Sequence, residues 1–434
     1  MKSIQAHLKT SIAGVMVAFL LTISSTSFAA DIKLSKAEKV GMSSERLSKI
    51  DEMSKRYVEQ GNYSGVVTLV ARKGKVVHLS AHGNYGVDNA TPIAPDTLFR
   101  IYSMTKPITA IAALILYEEG KFQMNDPVSK YLPEFEDQKL LISDEKNTPM
   151  LVSPESVMTM RQLFTHTAGL TYGTTLDNPV DEQYKDARIL HSGSLSEFSK
   201  KLSQLPLRFQ PGTRYHYSVS LDLLGAVIER LSGMPLDQFF QTRIFQPLGM
   251  DDTFFEVPAD KLSRLASDQY WDYERKKITR VPAALSRDYG KVSFFSGGGG
   301  LVSTAGDYMR FCQMILNGGS YQGARLLGPR TIEFFGADHL NDKIRAEGIG
   351  QYPSADLYSG QSMALGLGVV INPDAMPVMS SKGDLSWGGL AGTKFWIDRE
   401  QELIGIAMVQ LFQSPWPLRF DMQVATNQAI TDLN

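Results

Sequence analysis

The stretch Phe99–Gly120 constrains the fold of this 434-residue chain more than any other segment. It reads FRIYSMTKPITAIAALILYEEG, and its run Ile108–Leu116 is apolar on every side. A helix without a polar face belongs in a core, so we expect a buried helix that begins near Ser103. Pro107 suits its first turn, and Gly120 suits the position after its last residue. The rest of the chain must therefore build a large core around this helix.

Ser103 and Lys106 lie three residues apart at the start of this helix. Residues at i and i+3 are neighbours on a helix surface, with Cβ atoms about 5–6 Å apart. A hydroxyl beside an amine, at the positive end of the helix dipole, indicates a nucleophile and its base. The S-x-x-K pattern alone is weak, because a chain this long contains about one or two by chance. A second copy, Ser143–Lys146, lies in a polar insert with no apolar helix after it.

The first 29 residues have the pattern of a secretory signal. Lys2 and Lys9 precede the short apolar run Ile12–Ile23, and small residues follow it. Ser27 and Ala29 suit the −3 and −1 sites, which predicts cleavage after Ala29 and a periplasmic or secreted protein. An uncleaved anchor is the alternative, although the run is shorter than the roughly 20 residues that a membrane span needs. After cleavage we expect no stable membrane span.

Composition narrows the possible partners and cofactors. A formal net charge of −2 gives no reason to expect nucleic acid or an anionic membrane surface as a partner. The single cysteine, Cys312, excludes an internal disulfide. The histidines show no metal-ligand spacing, and the glycine run Gly297–Gly300 lacks the G-K-[ST] of a phosphate loop. We therefore predict no metal and no cofactor, and the oligomeric state stays open.

Strand patterns occur at both ends of the chain, and the middle is mainly helical. Ser64–Gly86 reads as a hairpin, and Ala364–Ile371, Gly392–Ile397 and Leu403–Val409 read as closing strands. We therefore predict an α/β (α+β) fold with an antiparallel sheet built from both termini, 31–120 plus 291–434, flanked by helices. Residues 121–290 form a mainly helical insertion domain in this prediction. The predicted helices outside Phe99–Gly120 are Lys36–Gln60, the short Asp126–Tyr131 and Val157–Phe164, Ser194–Leu205, Ser220–Ser232, Leu236–Ile244, a helix ending at Leu316 and capped by Ser303 or Thr304, and one around Phe420–Ile430.

The residues around Ser103 resemble a known active-site signature. Pro95–Pro107, PDTLFRIYSMTKP, is similar to that of the serine β-lactamase-related family, which includes class C β-lactamases, D-alanyl-D-alanine carboxypeptidases and family VIII esterases. Further segments are similar to family motifs in the same order: Leu163–Leu170, Pro211-Gly212 with Tyr217-Ser218, Ser296–Thr304, and Trp387-Gly388-Gly389. The resemblance extends from about Leu47 to Val409 and implies a β-lactamase/transpeptidase-like fold.

The resemblance also implies roles for individual residues. Ser103 would be the acylated nucleophile and Lys106 its base, which requires a lowered lysine pKa. Tyr217 would be the second acid/base and needs Lys106 close by, because a free tyrosine titrates near pH 10. Tyr215 is the second choice for that role. The backbone N–H groups of Ser103 and Leu390 would form the oxyanion hole.

Two departures from the family pattern affect the predicted substrate-binding residues Trp387, Gly388, Gly389 and Val219. Val219 replaces an asparagine that often bonds the lysine, so one polar contact is missing. Trp387 replaces a lysine or histidine, and an indole offers apolar surface without a charge. This exchange favours neutral esters over substrates that carry a carboxylate. Another cation such as Lys382 could still reach the site and allow slow β-lactam turnover.

The leading hypothesis is an exported serine hydrolase that acts on a small-molecule ester through an acyl-enzyme on Ser103. The second is a β-lactamase or D-alanyl-D-alanine carboxypeptidase, with a β-lactam or peptide substrate. A third is a non-catalytic protein that binds peptidoglycan or a partner, although Ser103, Lys106 and Tyr217 are all present. Acyl transfer to an alcohol or amine stays open beside hydrolysis. His166 is expected to be structural.

Overall fold

The strand that follows the first long helix, Gly65–Arg72, is buried at every residue. The computed structural model describes residues 32–143, 148–174, 178–346, 357 and 359–433, so the predicted signal segment and its cleavage site lie outside it. The strands of the described residues are, in chain order, β1 Gly65–Arg72, β2 Lys75–Gly86, β3 Asn89–Pro92, β4 Phe99–Arg100, β5 Leu140–Ser143, β6 Pro149–Val152, β7 Gln269–Asp272, β8 Lys277–Arg280, β9 Val302–Ser303, β10 Ser320–Tyr321, β11 Ala324–Arg325, β12 Gln361–Met363, β13 Gly368–Val370, β14 Leu385–Gly388, β15 Lys394–Asp398 and β16 Leu403–Met408.

The helices surround a large sheet. In the same residues they are α1 Ser44–Glu59, α2 Thr105–Glu118, α3 Met160–Phe164, α4 Pro179–Ala187, α5 Leu195–Ser203, α6 Ser220–Ser232, α7 Leu236–Phe240, α8 Gln246–Leu248, α9 Ala305–Leu316, α10 Pro329–Phe335, α11 Asp342–Ala346 and α12 Leu418–Asn427. No helix among them combines the length and the apolar character needed to cross a membrane.

An eight-stranded antiparallel sheet joins the two ends of the chain. Its order is β12-β13-β14-β15-β16-β1-β2-β3, and the two halves meet where Thr68 of β1 faces Ala407 of β16. The prediction of a sheet built from both termini is confirmed. The described residues between 121 and 290 contribute helices and two small hairpins but no strand of this sheet. The chain from Ile32 onward forms one compact unit. The division into separate domains at those boundaries stays a prediction.

Both faces of the central strands are covered by helices. Successive side chains of a strand point to opposite faces. Leu69 of β1 packs into the larger core with residues of α2 and α9, whereas Val70 packs into a second core with residues of α1 and α12. Cys312 of α9 is fully buried in the larger core. The sheet thus separates two apolar layers, and this explains why β1 carries a nearly continuous apolar run.

The predicted central helix is present and buried. Every residue from Thr105 to Leu116 of α2 is buried, which agrees with its lack of a polar face. Helix α6 packs beside it with the predicted bounds, Ser220–Ser232. Thr304 caps α9 by accepting a hydrogen bond from the N–H of Asp307, as one of the two predicted caps.

Glycines at positive φ change two predicted elements. The single helix predicted over Lys36–Gln60 is wrong: a 3₁₀ turn, Ala37–Val40, ends at Gly41 with φ +68°, and α1 begins after it. The strand predicted over Ala364–Ile371 is also shorter, because Gly366 with φ +83° lies in the turn between β12 and β13. Glycine adopts this left-handed conformation without a steric penalty, so the chain turns at these positions.

Candidate active site

The backbone around Ser103 is held in an unusual conformation. Tyr102, directly before it, has φ +42°, which is uncommon for a residue with a side chain. A 3₁₀ turn, Tyr102–Met104, then leads into α2. Pairing of β4 with β9 and a hydrogen bond from the Tyr308 hydroxyl to the Met104 carbonyl (2.9 Å) hold the turn on both sides. Strained residues of this kind persist only where the surrounding structure fixes them, and they cluster at functional sites.

Three predicted side chains meet at the Ser103 hydroxyl. Lys106 Nζ donates a hydrogen bond to Ser103 Oγ at 3.2 Å, and Tyr217 OH donates to the same oxygen at 2.6 Å. Tyr217 lies on the loop before α6, more than a hundred residues from Ser103 in the chain. The fold therefore brings together the serine, the amine and the phenol that the sequence placed far apart, and Tyr217 rather than Tyr215 contacts the serine.

Lys106 is fully buried, and this changes its chemistry. Burial lowers the pKa of its amine to about 7, while the negative charge of Asp222 acts in the opposite direction. Besides Ser103, Nζ donates to the Gly298 carbonyl at 2.6 Å and to Tyr172 OH at 3.0 Å. A lysine with such a pKa is partly neutral at pH 7, as a general base must be.

The glycine run beside Lys106 is fixed by a buried carboxylate. Asp222 of α6 accepts hydrogen bonds from Gly298 N–H at 3.0 Å and from the Ser296 hydroxyl. A Cβ at Gly298 would overlap Asp222 Oδ2, so only glycine fits there without a shift. Burial raises the pKa of Asp222. The Gly298 carbonyl, held in this way, faces Lys106.

Tyr172 is a site residue that the sequence reasoning missed. Its hydroxyl accepts a hydrogen bond from Lys106, and its ring packs 5.4 Å from that of Tyr217, centroid to centroid. The structure fully buries Val219 in the larger core. Tyr172 thus provides a polar contact to the lysine where the Val219 departure suggested that one was missing. The sequence feature that could have indicated Tyr172 is its position two residues after the Leu163–Leu170 motif.

Trp387 and Gly388 are the last two residues of β14, and Gly389 follows directly after the strand. The Trp387 side chain is buried, and its ring centroid is 6.0 Å from that of Tyr217. Its indole N–H has no hydrogen-bond partner within the described residues. A Cβ at Gly389 would overlap the Ile101 carbonyl oxygen, so this glycine allows the strand edge to approach the Ser103 turn closely. Lys382 is exposed.

The comparison with known proteins identifies the family. A family model described as Beta-lactamase matches residues 50–429. This chain belongs to the beta-lactamase family. An uncharacterized protein of Mycobacterium tuberculosis is 33% identical over 360 residues, which cover 81% of this chain and 87% of that protein. Esterase EstB of Burkholderia gladioli is 30% identical over 376 residues, with coverage of 81% and 87%.

A solved structure shares the fold over most of this chain. EstCE1, described as a hydrolase with promiscuous acyltransferase activity, matches with a TM-score of 0.73 at 25% identity. The match covers 90% of this chain and 99% of EstCE1. The fold is therefore β-lactamase/transpeptidase-like, and the chain is a serine hydrolase of this family.

The ring of His166 packs against the ring of Tyr217. Its ring centroid lies 4.6 Å from that of Tyr217, and its Nδ1 accepts a hydrogen bond from Ser218 N–H at 3.2 Å. Burial and then the nearby Lys106 hold the pKa of His166 well below its usual range. A neutral ring that packs against Tyr217 agrees with the structural role expected for this histidine.

Proposed function

We propose that this protein is a carboxylesterase that works through an acyl-enzyme on Ser103. The observation that carries the proposal is the position of Ser103 Oγ, within hydrogen-bond distance of both Lys106 Nζ (3.2 Å) and Tyr217 OH (2.6 Å). A nucleophile in contact with two proton-transfer groups is the arrangement that acyl transfer requires. The similarity to an esterase, EstB, adds support.

Acylation begins with neutral Lys106. Ser103 Oγ attacks the ester carbonyl carbon while its proton moves to Lys106 Nζ, and the carbonyl oxygen becomes an oxyanion. The N–H groups of Ser103 and Leu390 stabilise that oxyanion. Tyr217 donates its proton to the leaving alkoxide as the C–O bond breaks, and Lys106 returns a proton to Tyr217. The alcohol departs, and the acyl group remains on Ser103.

Deacylation uses the same groups in reverse. Tyr217 first passes its proton to neutral Lys106, and the resulting phenolate takes a proton from a water molecule as that water attacks the acyl carbon. The Lys106 ammonium then supplies the proton for the departing Ser103 Oγ. The bond to Ser103 Oγ breaks, the serine regains its proton, and the carboxylic acid leaves. Lys106 lies 4.5 Å from the centre of the Tyr217 ring, and a positive charge there favours the phenolate that this step needs.

The surroundings of Trp387 support neutral esters as the substrate class. The indole presents apolar surface beside Tyr217 and has no charge to pair with a substrate carboxylate. A β-lactam or a peptide C-terminus carries such a carboxylate, so we expect these substrates to be turned over more slowly than a neutral ester.

We also propose that the protein is exported to the periplasm or secreted. The support is the sequence of residues 1–29, with its basic start, its apolar run and its small residues before Ala30. Expression of the full chain, fractionation and mass measurement test the proposal. A periplasmic or secreted product that begins at Ala30 agrees with it, whereas an unprocessed cytoplasmic product contradicts it.

Substitution of the nucleophile tests the catalytic proposal. Ser103→Ala should abolish hydrolysis of p-nitrophenyl butyrate, and Ser143→Ala, in the other S-x-x-K sequence, is the matched control and should leave it unchanged. Full activity in Ser103→Ala would overturn the proposal.

Nitrocefin turnover that exceeds ester turnover would favour a β-lactamase. No fluorophosphonate adduct on the Ser103 peptide would favour the non-catalytic binding protein.

A further inference from the structure

Arg419, near the start of α12, contacts the backbone that follows Trp387. Its Nη2 donates a hydrogen bond to the Gly389 carbonyl, and its Nε donates to the Gly392 carbonyl at 3.2 Å. Arg419 is partly buried, and the α12 residues Leu418 and Met422 on either side of it pack into the core that contains α1. It therefore reaches the edge of β14 from the sheet face opposite to α2 and Ser103.

The Gly389 carbonyl accepts hydrogen bonds from Arg419 Nη2 and from the Gly392 N–H (3.1 Å), and these bonds determine where the next N–H points. The Gly389 carbonyl and the Leu390 N–H belong to one peptide unit, and the described residues contain no cis peptide bond. In a trans peptide the two groups point in opposite directions. Because the carbonyl points to Arg419, the Leu390 N–H points away from it. That N–H donates to no other group in the part of the chain that the structure describes.

Gly388 and Gly389 face opposite sides of the chain at the end of β14. A Cβ at Gly388, the last residue of β14, would lie 3.1 Å from the guanidinium carbon of Arg419. A Cβ at Gly389, the next residue, would overlap Thr393 Oγ1 and the Ile101 carbonyl oxygen. Successive residues of an extended strand face opposite sides. Ile101 lies two residues before Ser103, so the side away from Arg419 is the side of the nucleophile.

We propose that Arg419 is a positioning residue for the oxyanion hole, an inference that rests on the acyl-enzyme proposed above. By binding the Gly389 carbonyl together with the Gly392 N–H, the guanidinium fixes the Gly389–Leu390 peptide with its N–H toward the Ser103 side. A cation on the carbonyl also polarises the peptide, which makes the N–H a stronger donor to an oxyanion. Its rigid fork holds the Gly389 and Gly392 carbonyls together, which a lysine cannot do equally well.

The test compares Arg419→Met, Arg419→Lys and the matched control Arg46→Met. Arg46 of α1 donates to the Gln428 carbonyl at the other end of α12 (2.9 Å), so its loss affects the same helix far from the site. For p-nitrophenyl butyrate we expect Arg419→Met to lower kcat at least about tenfold with KM changed by less than about threefold, because the stabilisation acts on the transition state. Arg419→Lys, with one donor retained, should recover part of the loss, and Arg46→Met should keep the wild-type kcat.

A second measurement separates this inference from the substrate proposal. The rate at which a fluorophosphonate labels Ser103 depends on the oxyanion hole and not on ester preference, so Arg419→Met should label at least about tenfold more slowly than wild type. Equal labelling rates, or an equal loss in Arg46→Met, would overturn the role of Arg419. If wild type labels but does not hydrolyse esters, the carboxylesterase proposal fails, and the labelling comparison still decides the inference. If Ser103 does not label at all, both fail.

Discussion

Lys106 Nζ combines full burial with three hydrogen-bond acceptors, and these two features have opposite effects on its charge. Burial removes hydration from the ammonium form and lowers the pKa to about 7. Acceptors such as the Gly298 carbonyl favour the ammonium form. The balance leaves an amine that changes its protonation state near neutral pH, which a solvent-exposed lysine would not do.

The pH dependence of catalysis should follow this residue. Because only neutral Lys106 accepts the Ser103 proton, kcat/KM should rise as pH increases through about 7 and then level off. A profile for p-nitrophenyl butyrate from about pH 5 to about pH 9 measures the midpoint. A flat profile across neutral pH would contradict the assignment of Lys106 as the base.

Removal of the Tyr172 hydroxyl should move that midpoint. In Tyr172→Phe the ammonium form of Lys106 loses an acceptor, so its pKa should fall and the acidic limb of the profile should shift to lower pH. Tyr184→Phe is the control, because the buried Tyr184 hydroxyl has no hydrogen-bond partner within the described residues. A shift of equal size in the control, or a shift to higher pH, would refute the role of Tyr172.

At the scale of elements, the site is assembled from segments that touch only in the folded chain. The turn before α2 and the first residues of that helix contribute Ser103 and Lys106. The loop before α6, the glycine run before β9 and the C-terminal end of β14 each contribute one further group. Asp222 of α6 connects two of them, because it fixes the glycine run whose Gly298 carbonyl binds Lys106.

A side chain at position 298 should disturb the contact between Asp222 and the glycine run that holds Lys106. In Gly298→Ala the new Cβ would overlap Asp222 Oδ2, so we expect the free energy of unfolding to fall by about 1–3 kcal/mol and ester turnover to drop as Lys106 is displaced. Gly193→Ala is the control, because its Cβ would meet only the end of the Glu197 side chain, at 3.1 Å. Urea unfolding and steady-state kinetics measure both effects, and wild-type behaviour in Gly298→Ala would contradict the expectation.

The local sequence pattern predicted those helices and strands whose burial follows directly from the order of their apolar and polar residues. The apolar run of α2 and the alternating hairpin of β1 and β2 are examples, because burial there follows from the pattern itself. Gly41 and Gly366 were harder, since a glycine permits a turn but does not require one. Family motifs predicted Ser103, Lys106, Tyr217 and Trp387. Tyr172 and Arg419 were not predicted, because their contacts depend on how distant elements pack.

At the scale of the whole molecule, buried carboxyl groups couple folding to pH. Asp384, just before β14, is buried, and this burial together with the charge of Asp398 raises its pKa to about 8. An unfolded aspartate titrates near pH 4, so between these values the folded state binds more protons than the unfolded state. The free energy of unfolding contributed by Asp384 therefore decreases as pH rises from about 4 to about 8.

Asp384→Asn should remove this contribution. The amide oxygen can still accept the hydrogen bond from Ser381 N–H (2.9 Å), and the side chain no longer has to ionise. We expect the variant to gain stability relative to wild type as pH rises through this window, by at most about 1.4 kcal/mol per pH unit. Thermal unfolding at several pH values measures the gain. The exposed Asp374→Asn is the control, and a parallel dependence in all three proteins would contradict the prediction.

The single thiol of the chain has a practical consequence. Cys312 is fully buried in α9, against the central strands of the sheet, and burial raises the pKa of its thiol well above the usual value. An alkylating reagent therefore reaches it only in molecules whose larger core has opened. The rate of Cys312 alkylation in native buffer would therefore report the rate at which the larger core opens. Cooperative unfolding of the enzyme could be followed in this way without an added label.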